Sequence, residues 1–557
     1  MRKSIKIKDP LFGYIEIDDD DVYQIINTPE FHRLQDIIQT SYSSVYPTCL
    51  HNRFIHSIGV YYLGRLAING ISNNSKELFE KDKKNYIKIF LLACLLHDVG
   101  HAPFSHTGEA FYIAKSENGV PVLRKKLWEI LAPLDDKFLE DDKILAGAPH
   151  ELMSAYEGIT IFSDYIPDEY KSFFVRCIIG LNYKDQGDIR NCLIDLLNSK
   201  TIDVDKLDYL IRDSYYSGFK TVNIDYQRLL SAVCIVEKKE DEKVTYRLGF
   251  TKAALSTLES VILAHDMERK WMQNHPIIQY ENQLLISILK TIIDEFAKYN
   301  IELFSLQPLT QDGIEGTKDI QVSNETIYKD KKSICLLSDS DILSSSKCFI
   351  KSNVFVQEYF NRSKRMKPLW KSESEYRILF EKGNLSLPAV KNLVDKFDSI
   401  ISILKGFPLI NDTLLEALDN EIQSARENHE NDNEDSIFDM AKIQDFKIKE
   451  LKELKALILT IKNFSEQSGY KFEYAVIANK QFYSGFNKDE LRTIPIYFQK
   501  DYIKDLIDCI NLFEQETPIE KFFYIYTTEK NRNNFNVAGF VETICNCAYH
   551  NYQINSV

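Results

Sequence analysis

The stretch Leu91–Glu109, LLACLLHDVGHAPFSHTGE, constrains this chain more than any other. Its first half is apolar with no polar face, so it must be buried on all sides. The lysines at 81, 83, 84 and 88, together with its length, predict a helix from about Asn85 to His97, with Gly100 as a stop signal. Such a helix drives an adjacent His and Asp, His97 and Asp98, into the interior. Burying both is costly unless something offsets it, and a divalent metal ion is the usual reason. His101, His106 and Glu109 follow within eleven residues. A solvated loop rarely concentrates imidazoles in this way, so the ligand chemistry favours a metal-dependent site.

The totals set the frame. At 557 residues, the chain has room for roughly two to four domains and at least one large core. Asp and Glu number 82 against 68 Lys and Arg, a net charge of −14, which argues against a nonspecific nucleic-acid coat but leaves room for a local basic phosphate pocket. The ten cysteines are scattered. Cys545 and Cys547 form a close pair with no second pair to complete a zinc site, and Cys94, Cys177 and Cys234 lie in apolar surroundings, as buried thiols do. A reducing cytoplasm is the expected compartment. No apolar run reaches the length of a membrane span, and residues 1–17 lack the apolar centre of a signal peptide.

Along the chain, residues 4–17 alternate as a hairpin with Asp9-Pro10 at its turn, and residues 20–40 read as helix broken at Pro29. Arg53–Ala67 has helical spacing, residues 107–150 read as a charged helical insertion, and helices continue to about Leu230. Residues 243–250 read as a strand able to pair with 231–238, and 251–300 as long helices. Residues 305–333 are polar with weak strands, 338–382 combine helix with a basic run, and 385–465 read as paired helices. The charged stretch 424–436 reads as a mobile loop. The last hundred residues are β-branched and aromatic in KFEYAVIANK, LRTIPIYFQK and KFFYIYTTEK, consistent with one small α/β unit. The expected fold is mostly α: a helical core with small β elements over 1–384, its motifs within 50–215, then a C-terminal accessory region, helical then α/β, over 385–557.

Six of the eleven histidines, His51, His56, His97, His101, His106 and His150, fall within residues 51–106 or at 150. Arg53 and His56 are three apart, which puts a guanidinium fork suited to phosphate oxygens beside a candidate ligand. In IDVDKLDYLIRDSYYSGF, residues 202–219, Val204, Leu207, Leu210 and Ile211 form an apolar stripe. Asp205, Tyr209 and Asp213 step by four on the other side, flanked by Lys206 and Arg212. Taken alone, that side reads first as a solvated salt-bridged face; the His/Asp cluster upstream brings in the alternative of a further metal ligand, Asp205, and a phosphate-binding Lys206.

His56, His97-Asp98 and Asp205 make an H…HD…D set, and the chain resembles the HD-domain metal-dependent phosphohydrolases. HNRFIHSIGV (51–60), HDVGHAPFSHTGE (97–109), the HE pair at 150–151 and DVDKLDYLIRD (203–213) resemble the deoxynucleoside triphosphate (dNTP) triphosphohydrolases. The resemblance runs over about residues 1–380. It includes no SAM-like segment at the N-terminus, and residues beyond about 385 resemble nothing familiar. It implies one divalent ion per chain held by His56, His97, Asp98 and Asp205; the mixed donors suit Mn, Fe, Co, Ni or Zn, and Mg less well. It implies that Arg53, His101 and Lys206 hold the triphosphate, that His106, Glu109 and His150 form the catalytic group, and that Tyr209, Asp213 and Gln39 meet the deoxyribose. QTSY stands where the family has a glycine-rich continuation after that glutamine.

The implied reaction is hydrolysis of a dNTP to a deoxynucleoside and inorganic triphosphate. Arg362, Lys364, Arg365 and Lys367 match a segment near regulatory nucleotide sites, with a solvated basic patch as the alternative. The family implies a homo-oligomer (dimer, tetramer or hexamer), a dNTP effector and, among bacterial members, antiviral depletion of nucleotide pools; no membrane partner is expected. Two competing readings are an HD phosphodiesterase or nuclease acting on other nucleotides or single-stranded nucleic acid, and a non-catalytic nucleotide sensor.

Overall fold

A computed structural model describes residues 4–555 apart from 76–82, 114–115, 118–119, 145, 221–222, 241–242, 316–319, 323–324, 329–332, 381–389, 391, 398, 400–408, 431–436, 480–485, 487, 500–501, 512–521 and 529–534. The fold is mostly helical, with small sheets. The chain forms two compact units: residues 1–272, 291–349 and 484–516 make the first, and 273–290, 350–483 and 517–557 the second. The sequence boundary at 384/385 lies outside the described residues. No helix among the described residues is long and apolar enough to cross a membrane.

In the first unit, the predicted hairpin pairs Ile5–Asp9 with Gly13–Ile17. Its turn is held by the Asp9 carboxylate, which accepts from the backbone N–H of Leu11 and Phe12 at 2.7 and 2.9 Å. Five helices position the site: α1 (Arg53–Asn74), α2 (Lys83–Leu96), α3 (Pro149–Thr160), α4 (Val204–Ser217) and α5 (Asp339–Ser346). The Asn52 side chain caps α1 by accepting from Ile55 N, and α1 runs seven residues past the expected Ala67. Its end stays helical because Ile68 and Ile71 are buried. Helix α2 is buried at Ile89, Phe90 and Leu92–Leu96, with Leu91 half-buried, as its apolar run requires. The Asp203 side chain caps α4, and Gly218, at a φ of 69°, ends it.

Residues 107–150 are less helical than expected. They hold the single turn His106–Glu109, the two-residue strands Ser116–Glu117 and Val120–Pro121, the helix Val122–Leu131 and the turn Phe138–Asp141. The strands Val233–Glu240 and Lys243–Thr251 pair antiparallel. The strand Pro495–Gln499 adds to them in parallel, with Ile496 opposite Phe250.

That addition corrects the expectation of one C-terminal α/β unit. Of the three C-terminal strands, Pro495–Gln499 belongs to the first unit. Tyr474–Asn479 and Phe522–Thr527 pair antiparallel in the second. Local β propensity marks a strand but carries no information about its partner. In the second unit, the order is Lys367–Pro368, Phe522–Thr527, Tyr474–Asn479, Leu409–Ile410, over a core that includes Trp370, Tyr376, Phe380 and Phe523. The expected loop at 424–436 is also corrected. The helix Asp412–Glu430 continues through 424–430 because Ala425 is buried on its packed face, and 431–436 lie outside the described residues. All ten cysteines are free thiols.

Candidate metal centre and proton-transfer cluster

Three elements bring the four predicted ligands together. His56 lies on the first turns of α1, His97 and Asp98 leave the end of α2, and Asp205 lies on the first turn of α4. His56 Nε2 is 3.1 Å from Asp205 Oδ1, 3.3 Å from His97 Nε2 and 3.4 Å from Asp98 Oδ2. His97 Nε2 is 3.5 Å from both Asp98 Oδ1 and Asp205 Oδ1. Ligands that share one ion at about 2.0–2.2 Å stand about 3–3.6 Å apart. The donors therefore fit a single divalent ion.

Each ring is aimed by its other nitrogen. His97 Nδ1 donates to Cys94 O at 2.9 Å, and His56 Nδ1 pairs with Asp208 Oδ2 at 2.7 Å, leaving both Nε2 atoms to converge. Asp208 also takes Nε and Nη2 of Arg212 at 2.8 Å each, and Arg212 Nη1 reaches Asp9 of the hairpin turn at 2.9 Å. Gly59 makes room for this: a Cβ there would lie 2.0 Å from Asp208 Oδ1 and 2.5 Å from Arg212 Nη2. Burial alone would push the His56 imidazole down, but Asp205, Asp208 and Asp98 hold it up at about 9. Asp98 is held low against burial by Arg53, His97 and His56. A field that favours imidazolium also favours a divalent cation.

A second cluster adjoins the first. His101 stacks on His150 with ring centroids 4.3 Å apart, and His106 lies 5.0 Å from His150. Glu109 pairs closely with His150 Nδ1 and lies 3.5 Å from His106 Nδ1. Although Glu109 lies one helical turn from His106, its tighter partner is His150, and the His106 side chain is 63% exposed. Burial lowers His150, but Glu109 reverses this and raises it. His101 is pushed well down by burial and by the cations Arg53, His150 and His106. Neither ring nitrogen of His101 has a hydrogen-bond partner among the described residues, so this buried neutral imidazole keeps its hydrogen-bonding capacity for a ligand. Helix α3 holds the two clusters together: Gly100 N donates to Ser154 Oγ at 3.0 Å, and a Cβ on Gly100 would lie 2.5 Å from Ser154 N.

The other predicted residues are placed as follows. Arg53 is buried and already engaged: Nη1 bonds Asp98 Oδ2 at 2.6 Å, Nε bonds Ser105 Oγ at 3.0 Å, and Nη2 bonds Gln39 O at 3.2 Å. Gln39 is buried, and its Oε1 has no partner among the described residues. Lys206 Nζ contacts Asp203 Oδ2 at 2.5 Å and Ser199 O at 2.8 Å. Asp213 Oδ1 is 2.7 Å from His51 Nε2, while His51 Nδ1 is 3.8 Å from Cys49 Sγ. His51 thus places one nitrogen toward each neighbour. Tyr209 lies between Asp205 and Asp213 on α4, its hydroxyl raised by burial and by neighbouring acids led by Glu268.

In the second unit, Arg365 is built into the fold by Glu281 Oε2 at 2.9 Å and by the carbonyls of Glu358 and Tyr359. Arg362 and Lys364 are exposed. Lys367 is half-buried in a short strand. Sequence reasoning missed Asp208, whose only signal is its three-residue step from Asp205. It also missed Arg33, Ser105 and Asp339, which carry no local signal.

Residues 53–145 match the family model of the HD domain. The chain is 32% identical over 242 residues to the deoxynucleoside triphosphate triphosphohydrolase SAMHD1 of Danio rerio, covering 43% of this chain and 38% of that protein. It is 34% identical over 244 residues to the SAMHD1 homolog of Dictyostelium discoideum, covering 42% and 41%. The matched segments thus span about two fifths of these relatives. A phosphohydrolase structure from Bacteroides thetaiotaomicron shares the fold, with a TM-score of 0.52 and 19% identity, covering 94% of this chain and 100% of that one. Residues 53–145 thus carry an HD domain, and within it the buried His56, His97 and Asp98 form a group that could hold a metal ion. Among characterised members, it is similar to the dNTP triphosphohydrolases.

Proposed function

We infer that this chain hydrolyses dNTPs to deoxynucleosides and inorganic triphosphate. One observation carries the reading. Helix α4 supplies Asp205 to the metal cluster and, two turns on, Asp213 to the buried His51. A ligand with a phosphate end and a sugar end fits that spacing better than a nucleic-acid backbone does.

His56, His97, Asp98 and Asp205 would hold the ion, with Arg53 fixing the Asp98 carboxylate. A bound ion would supply Lewis acidity at the α-phosphate and the attacking water. His101, neutral and without a hydrogen bond among the described residues, offers a donor to a phosphate oxygen. Lys206 lies next to Asp205 and exchanges Asp203 for the triphosphate. The leaving 5′-oxygen takes a proton from the His106–His150 pair, whose charge Glu109 stabilises. Asp213, oriented by His51, accepts the 3′-hydroxyl, Tyr209 closes the space at the 2′ carbon, and Gln39 offers its unpaired Oε1 to the sugar. Within the basic run, the regulatory reading narrows to Arg362 and Lys364, the two exposed cations.

Incubation with each dNTP and Mn, followed by ion-exchange separation, should yield inorganic triphosphate and deoxynucleoside. Monophosphate with pyrophosphate in its place would overturn this.

A further inference from the structure

The backbone between the two clusters is held in an unfavourable form. Phe104 and Ser105, directly before His106, have φ of 61° and 53°. Neither is glycine, and residues other than glycine rarely enter the left-handed region, let alone two in succession. Such a conformation persists only where its surroundings enforce it.

The enforcing groups come from far along the chain. Asp339, the first residue of α5, accepts from Phe104 N at 2.6 Å through Oδ1 and from Ile38 N at 3.0 Å through Oδ2. Ser105 Oγ donates to Ile38 O at 2.6 Å and accepts from Arg53 Nε at 3.0 Å. Buried Arg33 completes the clamp, with Nη1 on Leu337 O at 2.9 Å and Nη2 on Val99 O and His101 O at 2.8 and 2.9 Å. One short segment, Leu337–Asp339, thus ties together the turn that follows the metal ligands, the strained pair and the Ile38 segment. Asp339 is itself buried, which leaves no solvent to replace it as acceptor.

We propose that Asp339 is a positioning residue for His106: its carboxylate holds Phe104 and Ser105 in the left-handed form that presents the His106 imidazole to the leaving oxygen. This rests on the proton-transfer role given to His106 above. The geometry separates this duty from metal binding. Arg53, not Asp339, contacts Asp98, and no ligand of the cluster touches Asp339 in any hydrogen bond described. Asparagine at 339 keeps one acceptor and turns an N–H toward the other backbone donor, so it should act as a partial break; alanine removes both acceptors.

The test uses the full chain with Asp339→Asn and Asp339→Ala, read in two ways. Hydrogen exchange followed by peptide mass analysis should show faster exchange over residues 102–108 in both variants, with residues 53–67 unchanged. This readout needs no substrate, so it stands even if dNTPs prove not to be turned over. In steady state, kcat should fall about tenfold for Asp339→Asn and about a hundredfold for Asp339→Ala, with KM within about twofold and metal content unchanged. Adding Phe104→Gly to Asp339→Ala, which makes positive φ permissible, should recover part of kcat. Unchanged exchange over 102–108 would overturn the clamp. Faster exchange with wild-type kcat in a chain that hydrolyses dNTPs, or loss of the metal, would overturn the positioning role.

Discussion

The two histidine clusters adjoin one another and are built on opposite principles. In the metal cluster, every ring is buried and aimed from behind: Cys94 O fixes His97, and Asp208 with Arg212 and Asp9 fixes His56. In the second cluster, His106 is largely exposed, neither ring nitrogen of His101 has a hydrogen bond among the described residues, and His150 is firmly held by Glu109. A ligand set must keep its geometry while a substrate comes and goes. A proton donor must meet a moving atom, so it is held through its backbone and a carboxylate rather than by a closed shell of bonds. The contrast predicts that damage to the first cluster costs the metal, and damage to the second costs turnover alone.

The largest break is at the ligands themselves. His97→Ala or Asp98→Ala should abolish turnover and take metal content, measured by elemental analysis, from about one ion per chain to none. Metal retained in the Asp98 variant would dissolve the distinction between the clusters.

His106→Ala tests the other side. Turnover should fall by about a hundredfold or more with the metal retained, since a positioned acid or base contributes about that much. Loss of metal there would make His106 a ligand.

Asp208→Asn separates ligands from what aims them. Metal affinity in a chelator competition should drop by about ten- to a hundredfold, the usual effect of removing an outer hydrogen-bond partner, while excess metal restores most of the rate.

Tyr209→Ala is gentler. The preference for a dNTP over its ribonucleotide should shrink by about tenfold, read as the ratio of kcat/KM values. Equal wild-type rates on each such pair would remove Tyr209 from the sugar site.

The smallest effect on turnover is expected at Glu157 on α3, a buried carboxyl whose two oxygens lack partners among the described residues. Burial pushes it up to about 8, against the pull of Arg33. A carboxyl raised in the folded state holds its proton more tightly when folded. Its stabilisation is therefore complete below about pH 4.5 and is lost as pH rises to about 8. Glu157→Gln should flatten that loss, raising stability at pH 9 by about 5 kcal/mol at most, with kcat at pH 7 unchanged. Denaturant melts at pH 5 and pH 9 check it.

Much of this was legible in the chain because it is local. The apolar run before His97, the helical spacing from Arg53 to Ala67 and the four-residue steps from Asp205 to Asp213 each lie within a few turns, where periodicity operates. Those signals predicted the hairpin and helices α1, α2 and α4, while the four residues that converge as the candidate metal cluster came from the resemblance of the motifs to a known family. What lay beyond them depended on partners distant in sequence. Gly59 looks like any helical glycine until Asp208 and Arg212 are packed against it. The strand Pro495–Gln499 reads as β but joins a sheet some 245 residues earlier in the chain through Phe250, a pairing its own residues do not encode. Arg53, read as a phosphate fork, is turned inward because Asp98, Ser105 and Gln39 O surround it. Asp339 reads as the first residue of a helix, and only the folded chain brings it to Phe104 N and Ile38 N. Sequence spacing determined which chemical groups the site would contain. Tertiary structure decided which of them face a ligand and which hold the others in place, because burial and hydrogen-bond partnership depend on the whole fold.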